Sequence, residues 1–368
     1  MISKIFFSYY HLPRDVLRVI FLEFALSLIH VAFILILNIY LRKKGFSDPS
    51  IASLNSLRFI GALIFSVPLG IYIRGKRLKP FFIFASMIVP ITSFFIIESV
   101  HNNILILIQL GFFMWGIGIM LMRVCSLPFI MRETISENST EALSLSASTW
   151  ALATIISGLI ISGLDWISVL KIWKLLLIFD ERLTLWFITI LGSPALYFAY
   201  KINEKDPKIS QNSEIFSIRK SYDWVLILKA ISPLIIIAIG AGLTIPFVNL
   251  FFNSIFGLSA SDYSLLGSFT ALLVFIFSLL VPSLRKKYGY WMTIVLVQSI
   301  AIVCLVLMAI MELYSEFSFA IVVAIIAYVL RQPLMHMAHP ASNELMMNYV
   351  GKKNQELISA LSSSLWSA

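Results

Sequence analysis

Long apolar runs separated by short polar segments fill almost the whole chain, and they fall at roughly 17–41, 49–73, 80–99, 103–131, 141–163, 183–201, 223–252, 260–283, 290–312, 316–341 and 355–368. A helix needs about 20 apolar residues to cross the hydrocarbon core of a bilayer. The pattern therefore predicts an all-α polytopic membrane protein with about eleven spans. The eleventh run stops at Trp366-Ser367-Ala368, partway into a helix, with no polar tail after it. Composition sharpens the same reading. Of the 368 residues, 59% are hydrophobic and 13% charged, and the mean hydropathy is +0.92. A water-soluble domain of this length carries many more charges, so lipid is the solvent for most of this surface.

The net charge of +9 does not point to nucleic acid, because the Lys and Arg residues stand in short clusters between apolar runs. Such clusters orient membrane spans and meet anionic headgroups. With the N-terminus in the cytoplasm, 18 Lys/Arg fall on cytoplasmic segments and six outside, namely Arg42, Lys43, Lys44, Lys171, Lys174 and Arg182. The expected location is the cytoplasmic (inner) cell membrane, multi-pass, with the N-terminus cytoplasmic. The Arg42-Lys43-Lys44 cluster opposes the rule. Residues 1–16 are mixed polar and aromatic and predict no cleavable signal. Cys125 and Cys304 lie inside apolar runs and predict neither a disulfide nor a metal site. Residues 164–182, with Trp166, Lys171, Trp173 and Lys174, read as an interfacial amphipathic segment rather than a further span.

The longest polar stretch divides the chain into an N-terminal six-helix half (1–202), a cytoplasmic connector (203–222) and a C-terminal half of about five helices (223–368). The halves repeat one another. Gly45-Phe46-Ser47 matches Gly257-Leu258-Ser259, and Pro68 with Gly75 matches Pro282 with Gly289. Pro128 with Arg132-Glu133 matches Pro340 with Asn343-Glu344, and Trp150 matches Trp366. The offsets run from 211 to 216 in consistent order. Parallel six-helix repeats with substrate handled near the midplane are a recurrent transporter plan.

On these residues the chain resembles the major facilitator superfamily over essentially its whole length. That family's marker loop joins spans two and three and is echoed between spans eight and nine. It reads Gly, an acid, a base, Gly and a basic pair. Here Gly70, Gly75, Lys76 and Arg77 supply the first copy, and Lys287 and Gly289 the second. Tyr72 and Lys286 occupy the two acid positions. The resemblance implies that this loop latches the halves on the cytoplasmic side, and the missing acid puts that latch in question. It also implies twelve spans at full length, so the chain is expected to be C-terminally truncated, and a monomer if full length.

An ionisable group inside the bilayer is costly unless it meets a partner or water. The apolar runs contain Glu23 and His30 (span one), Arg58 (two), Arg123 (four), Lys229 (seven), and Arg331, His336 and His339 (ten), with none inside spans three, six, eight and nine. By resemblance, spans one, four, seven and ten line the family's central cavity. At about 1.5 Å of rise per residue, Arg58 and Arg331 fall near the midplane and Arg123 about 13 Å from the cytoplasmic face. Three deep arginines against one acid favour an anionic solute, since guanidinium binds carboxylate and phosphate bidentately. The other reading is that each arginine ties helices together. Arg58, Arg123 and Arg331 are thus the substrate-binding candidates. Glu23, His30 and His336 are candidates for a coupling proton or ion. The alternative for Glu23 is an ion pair with Lys229. His336 and His339, three residues apart, lack a third ligand, and no metal or cofactor is expected. Glycines at 158 and 163 in span five and at 111, 116 and 118 in span four predict close helix approach. Pro233, Gly240, Gly242 and Pro246 predict a bend in span seven.

No metalloprotease helix, nucleophile elbow or cysteine metal spacing is present, and the loops are short, so an enzyme is not expected. The function expected is secondary active transport of a small, anionic solute by alternating access. The alternative is a non-transporting sensor, assembly protein or remnant built on the same fold.

Overall fold

The computed structural model describes residues 9, 11–135, 138–170, 180–204, 222–245, 248–258 and 260–365. These form helices, with no strand among the described residues. Among the described residues, nine helical stretches are long and apolar enough to cross a membrane. Spans one to four are Arg14–Lys43, Asp48–Tyr72, Lys79–His101 and Leu105–Glu133. Span five is Ser139–Leu170, and span six is Glu181–Lys201. Span seven starts as Trp224–Thr244 and resumes as Val248–Phe256. Pro233 stays inside the first of these helices, and Pro246 lies outside the described residues. The stretch Leu265–Leu313 holds two spans. The backbone turns at Gly289 (φ 74°, ψ −177°), separating span eight, Ala260–Tyr290, from span nine, which opens as a π segment, Trp291–Leu296, and continues as Val297–Leu313. Span ten is Ser318–Val350, and span eleven is described over Gln355–Leu365. Over the described residues, each of the eleven runs is helical.

Local chemistry sets the helix ends. Span two opens on Asp48-Pro49, an acid beside the helix N-terminus and a ring pre-set for the first turn. The Asp180 carboxylate caps span six by accepting from the Leu183 N–H at 2.8 Å. Two pairs of glycines matched in the repeat, Gly45 with Gly257 and Gly75 with Gly289, all take positive φ, between 65° and 89°. Those turns need a residue without Cβ. The segment read as interfacial is helical as far as Leu170, continuing span five. Lys171, Trp173 and Lys174 lie outside the described residues, as does most of the connector.

The described chain forms two compact units. The first comprises Met1–Leu12, Thr134–Leu152 and Lys229–Tyr349; the second comprises Pro13–Glu133, Ala153–Leu228 and Val350–Ala368. In lipid, helix association rests on close packing rather than on expelling water. Spans two and four show this reciprocally. A Cβ on Gly61 would meet the Phe113 carbonyl oxygen at 2.7 Å, and one on Gly116 would strike the Arg58 carbonyl. Likewise a Cβ on Gly70 would collide with Ala360 Cβ, so span eleven lies directly against span two. Gly158 and Gly163 behave differently from the sequence expectation: nothing among the described residues lies within 4 Å of a Cβ there. Two of the three cations in the Arg42-Lys43-Lys44 cluster meet carboxylates. Arg42 pairs with Asp48 at 2.6 Å, Lys43 pairs with Glu181, and Lys44 lies 3.4 Å from the His101 ring. In the first unit, Phe252, Tyr263, Tyr328, Met308 and Met311 pack one core under spans seven to ten.

Candidate functional site

Trp115 anchors the charged interior of the second unit. It is 1% exposed, and the glycine contact at the next position brings span four hard against span two. The His30 ring meets it edge-on at 5.0 Å, and Phe33 stacks on it at 5.0 Å. Span one widens into a π segment, Phe33–Leu37, directly beyond His30. Such bulges shift the helix register and often occur at functional positions. The Arg58 guanidinium lies over Phe59 at 4.3 Å and toward Trp115 at 5.6 Å. The indole Nε1 of Trp115 is buried and has no hydrogen-bond partner among the described residues.

Arg58, Arg123 and His30 line one cavity of about 40 Å³, together with Phe59, Ala62, Gly116, Ile119, Met120 and Ser363. Four spans contribute to it: one, two, four and eleven. A space of that size accepts a few waters or a compact polar group. None of the lining residues is an acid, and no ion pair holds Arg58 among the described residues. Like charges brought together in a half-buried site repel, and an anion relieves the repulsion. Glu23 is one step away on span one, buried, and accepts a hydrogen bond from Ser126 of span four. The structure therefore brings together four of the groups singled out in the sequence: Glu23 and His30 in one buried helix, and Arg58 and Arg123 beside them.

In the first unit, Arg331 is 4% exposed. Its neighbours are Tyr328 and Cys304, and the Tyr328 hydroxyl lies 3.3 Å from that of Tyr263. His336 is exposed, with the His339 ring 5.7 Å away. Among the described residues, no group of three His, Cys, Asp or Glu is placed to hold a metal ion.

Charged pairs cluster at the ends of the spans that carry the marker loops. In the second unit, Arg132 pairs with Glu356 in the first turn of span eleven, reaches Glu204 at 3.6 Å, and donates to the Lys76 carbonyl at 2.9 Å. Glu204 in turn accepts from the backbone N–H groups of Leu78 and Lys79 at 2.6 and 2.8 Å, at the start of span three. In the first unit, Glu344 is fully buried. It accepts from Ser139 (2.7 Å), Thr140 (2.5 Å) and Arg285 (2.9 Å). Lys286 pairs with Glu141 in the first turn of span five, and Tyr9 donates to the Leu279 carbonyl at 2.8 Å. Burial first, then the Glu141 carboxylate, push the Tyr9 phenol above its ordinary value.

Of the marker-loop residues, Gly75 and Gly289 make the turns and Gly70 makes the span-two contact with Ala360. Lys76 lies 3.2 Å from the Tyr72 ring centroid. Arg77 and Lys287 are exposed. The pairing is carried instead by Arg132, Glu141, Arg285, Lys286, Glu344 and Glu356, none of them singled out as a site residue in the sequence. The signal available was an acid in the first turn of both spans five and eleven, at an offset of 215 residues.

Several solved structures share this fold. A bacterial homologue of the iron transporter ferroportin in an outward-facing state superposes with a TM-score of 0.72 at 12% identity, covering 96% of this chain and 89% of that one. The transporter FucP in its outward conformation gives 0.72 at 16% identity, covering 98% and 90%. The human organic anion transporter TETRAN gives 0.69 at 12% identity, covering 96% and 91%. No curated protein sequence matches the chain. Residues 19–368 match the family described as Major Facilitator Superfamily, and the all-α, multi-pass chain belongs to that family of membrane transporters.

Proposed function

We propose that the chain moves a small anionic solute across the cytoplasmic membrane by alternating access, with Arg58, Arg123 and His30 receiving the anionic group. One observation carries the reading: three basic side chains from three different spans converge on one acid-free cavity. No acid lines the cavity, and a carboxylate or phosphate supplies a guanidinium with two acceptor oxygens in matching geometry. A structural neighbour whose title names an organic anion transporter fits this class. Glu23, on the same helix as His30 and hydrogen-bonded to Ser126, is the group placed to take a coupling proton, with His30 and His336 the other candidates. Arg331, buried near Tyr263 and Tyr328, is the candidate for a second contact with the solute.

The mechanism divides the chain into the halves 1–202 and 223–368 joined by the connector. On this reading the Arg132–Glu356 and Lys286–Glu141 pairs, with the Glu344 hydrogen bonds to Ser139 and Thr140, form the cytoplasmic latch, and its opening and closing alternates access. The Lys/Arg distribution supports a cytoplasmic N-terminus.

The test is a thermal-shift and proteoliposome-uptake panel of anionic, neutral and cationic solutes on the purified chain. Stabilisation and uptake confined to anions, and lost in Arg58→Gln, support the proposal. Stabilisation by cations alone refutes it.

A further inference from the structure

A groove on the second unit, separate from the charged cavity, carries an inference independent of the transported solute. It lies between spans two, three and four and has a volume of about 550 Å³. Phe65, Pro68, Leu69 and Tyr72 of span two form one wall. Pro80, Phe81 and Phe84 of span three form the other, and Ile117, Met120 and Leu121 of span four form the floor. The rim stays open: Phe65 is 43% exposed, Phe84 51% and Tyr72 57%. Tyr72 and Phe81 meet edge-on at 6.0 Å and close the end of the trough nearest the marker loop.

That end is basic. Lys76 is seated on the Tyr72 ring, 3.2 Å from its centroid, and Lys79 directly precedes the groove residue Pro80, with exposed Arg77 between them in sequence. Tyr72 stands where the family places an acid, and the Glu204 carboxylate near this end is taken up by the Leu78 and Lys79 N–H groups and by Arg132. An apolar trough with cations at one end is complementary to one molecule of the surrounding solvent, a phospholipid with an anionic headgroup. Basic pockets between transmembrane helices bind such headgroups, and each Lys or Arg close to an anionic surface favours binding by roughly fivefold.

We propose that this groove is a binding site for an anionic phospholipid, with one acyl chain in the trough and the phosphate held at Lys76 and Lys79. Met120 is a wall of both the groove and the Arg58–Arg123–His30 cavity, so the acyl chain lies one side chain away from that cavity.

Native mass spectrometry of the full chain, released from nanodiscs containing equal amounts of phosphatidylglycerol and phosphatidylcholine, tests the proposal. Phosphatidylglycerol should be retained over phosphatidylcholine by roughly 30-fold if both lysines contribute. The Lys76→Gln/Lys79→Gln pair should abolish the preference while leaving total lipid retention in place. Leu69→Trp, which fills the trough, should reduce retention of both lipids. Glycerol 3-phosphate in excess, a headgroup without a chain, should not displace the lipid. Equal retention of the two lipids by the wild-type chain overturns the proposal. An unchanged preference in the double variant, or displacement by glycerol 3-phosphate, overturns it too. If the double variant fails to insert, the wild-type competition decides alone.

Discussion

Alanine at Gly116 should weaken the protein and blunt its response to anions without removing any charge. The added Cβ would strike the Arg58 carbonyl oxygen and approach the Arg58 Cα and carbonyl carbon at 2.9 Å. Ordinary contact begins near 3.4 Å, so spans two and four must part by about 0.5 Å for those carbons and more for the oxygen. The obstacle is backbone, which has no rotamer to escape into. Overpacking of this kind costs about 1–3 kcal/mol, and the better helix propensity of alanine returns about 0.5–1, leaving a net loss of about 0–2.5 kcal/mol. Gly158 is the internal control. Nothing among the described residues lies within 4 Å of a Cβ there, so Gly158→Ala should gain about 0.5–1 kcal/mol. The assay is the thermal unfolding midpoint of each variant in the same detergent, with and without the anion that stabilises the wild type. Gly116→Ala should fall below the wild type and Gly158→Ala should rise above it. Only Gly116→Ala should lose part of the anion shift, because span two carries Arg58. A Gly116→Ala protein as stable as Gly158→Ala, with a full anion shift, would refute the packing argument and the placement of Arg58 that depends on it.

Three further outcomes follow from the geometry. Arg58→Gln and Arg123→Gln should each lower anion affinity by at least tenfold in a binding titration while insertion persists, since losing one charge-assisted contact costs about 2–5 kcal/mol; unchanged affinity in both would remove the cavity from the mechanism. Glu356→Gln leaves Arg132, whose side chain is 17% exposed, facing a neutral amide; after discounting for solvent it should destabilise by roughly 2 kcal/mol, read as a lower unfolding midpoint, with Glu141→Lys/Lys286→Glu recovering more stability than either single exchange. Tyr9→Phe removes the hydrogen bond to the Leu279 carbonyl and should cost about 1 kcal/mol. Because the folded Tyr9 phenol is held above its ordinary value of about 10, its contribution is complete below that pH and is lost above it. The wild-type midpoint should therefore stay level up to about pH 9 and fall more steeply beyond 10 than that of the variant.

The helical architecture was legible because lipid leaves the sequence few options: every backbone polar group must bond within its own segment. The repeat was legible too, since the four matched glycines Gly45, Gly257, Gly75 and Gly289 share one left-handed backbone requirement. Hydrophobicity alone could not distinguish glycines that touch a neighbour from those that do not. Gly116 and Gly158 both stand in long apolar helices, yet one meets Arg58's backbone and the other open space. Rotation about the helix axis decides this, and a span apolar on every side does not encode rotation strongly. Four of the ionisable residues did encode it, whereas Lys229 and His336 are exposed. Glu23 and His30, seven apart, both turn inward, and Arg58 and Arg123 line the same cavity as His30. What the sequence left out was the partner of each charge. The Glu23 carboxylate takes its hydrogen bond from Ser126, an unremarked serine 103 residues away.

The acid missing from both marker loops has a physical counterpart elsewhere. A carboxylate in the first turn of a helix is stabilised by the partial positive charge of the helix end. Here the helices bring carboxylates of their own, Glu141 in the first turn of span five and Glu356 in the first turn of span eleven. A second acid arriving from the loop would repel them. The position that should hold it in the second copy is Lys286, and Lys286 pairs with Glu141. In the first copy that position is Tyr72, and the base comes from the end of span four as Arg132, which pairs with Glu356 and reaches back to the Lys76 carbonyl of the loop itself. Opposite charges thus meet at the first turns of spans five and eleven with no acid supplied by either loop. On our reading the departure from the family pattern relocates the latch rather than abolishing it. It also leaves the first loop with its lysines uncompensated by an acid of their own, which is what suits that end of the groove to an anionic lipid.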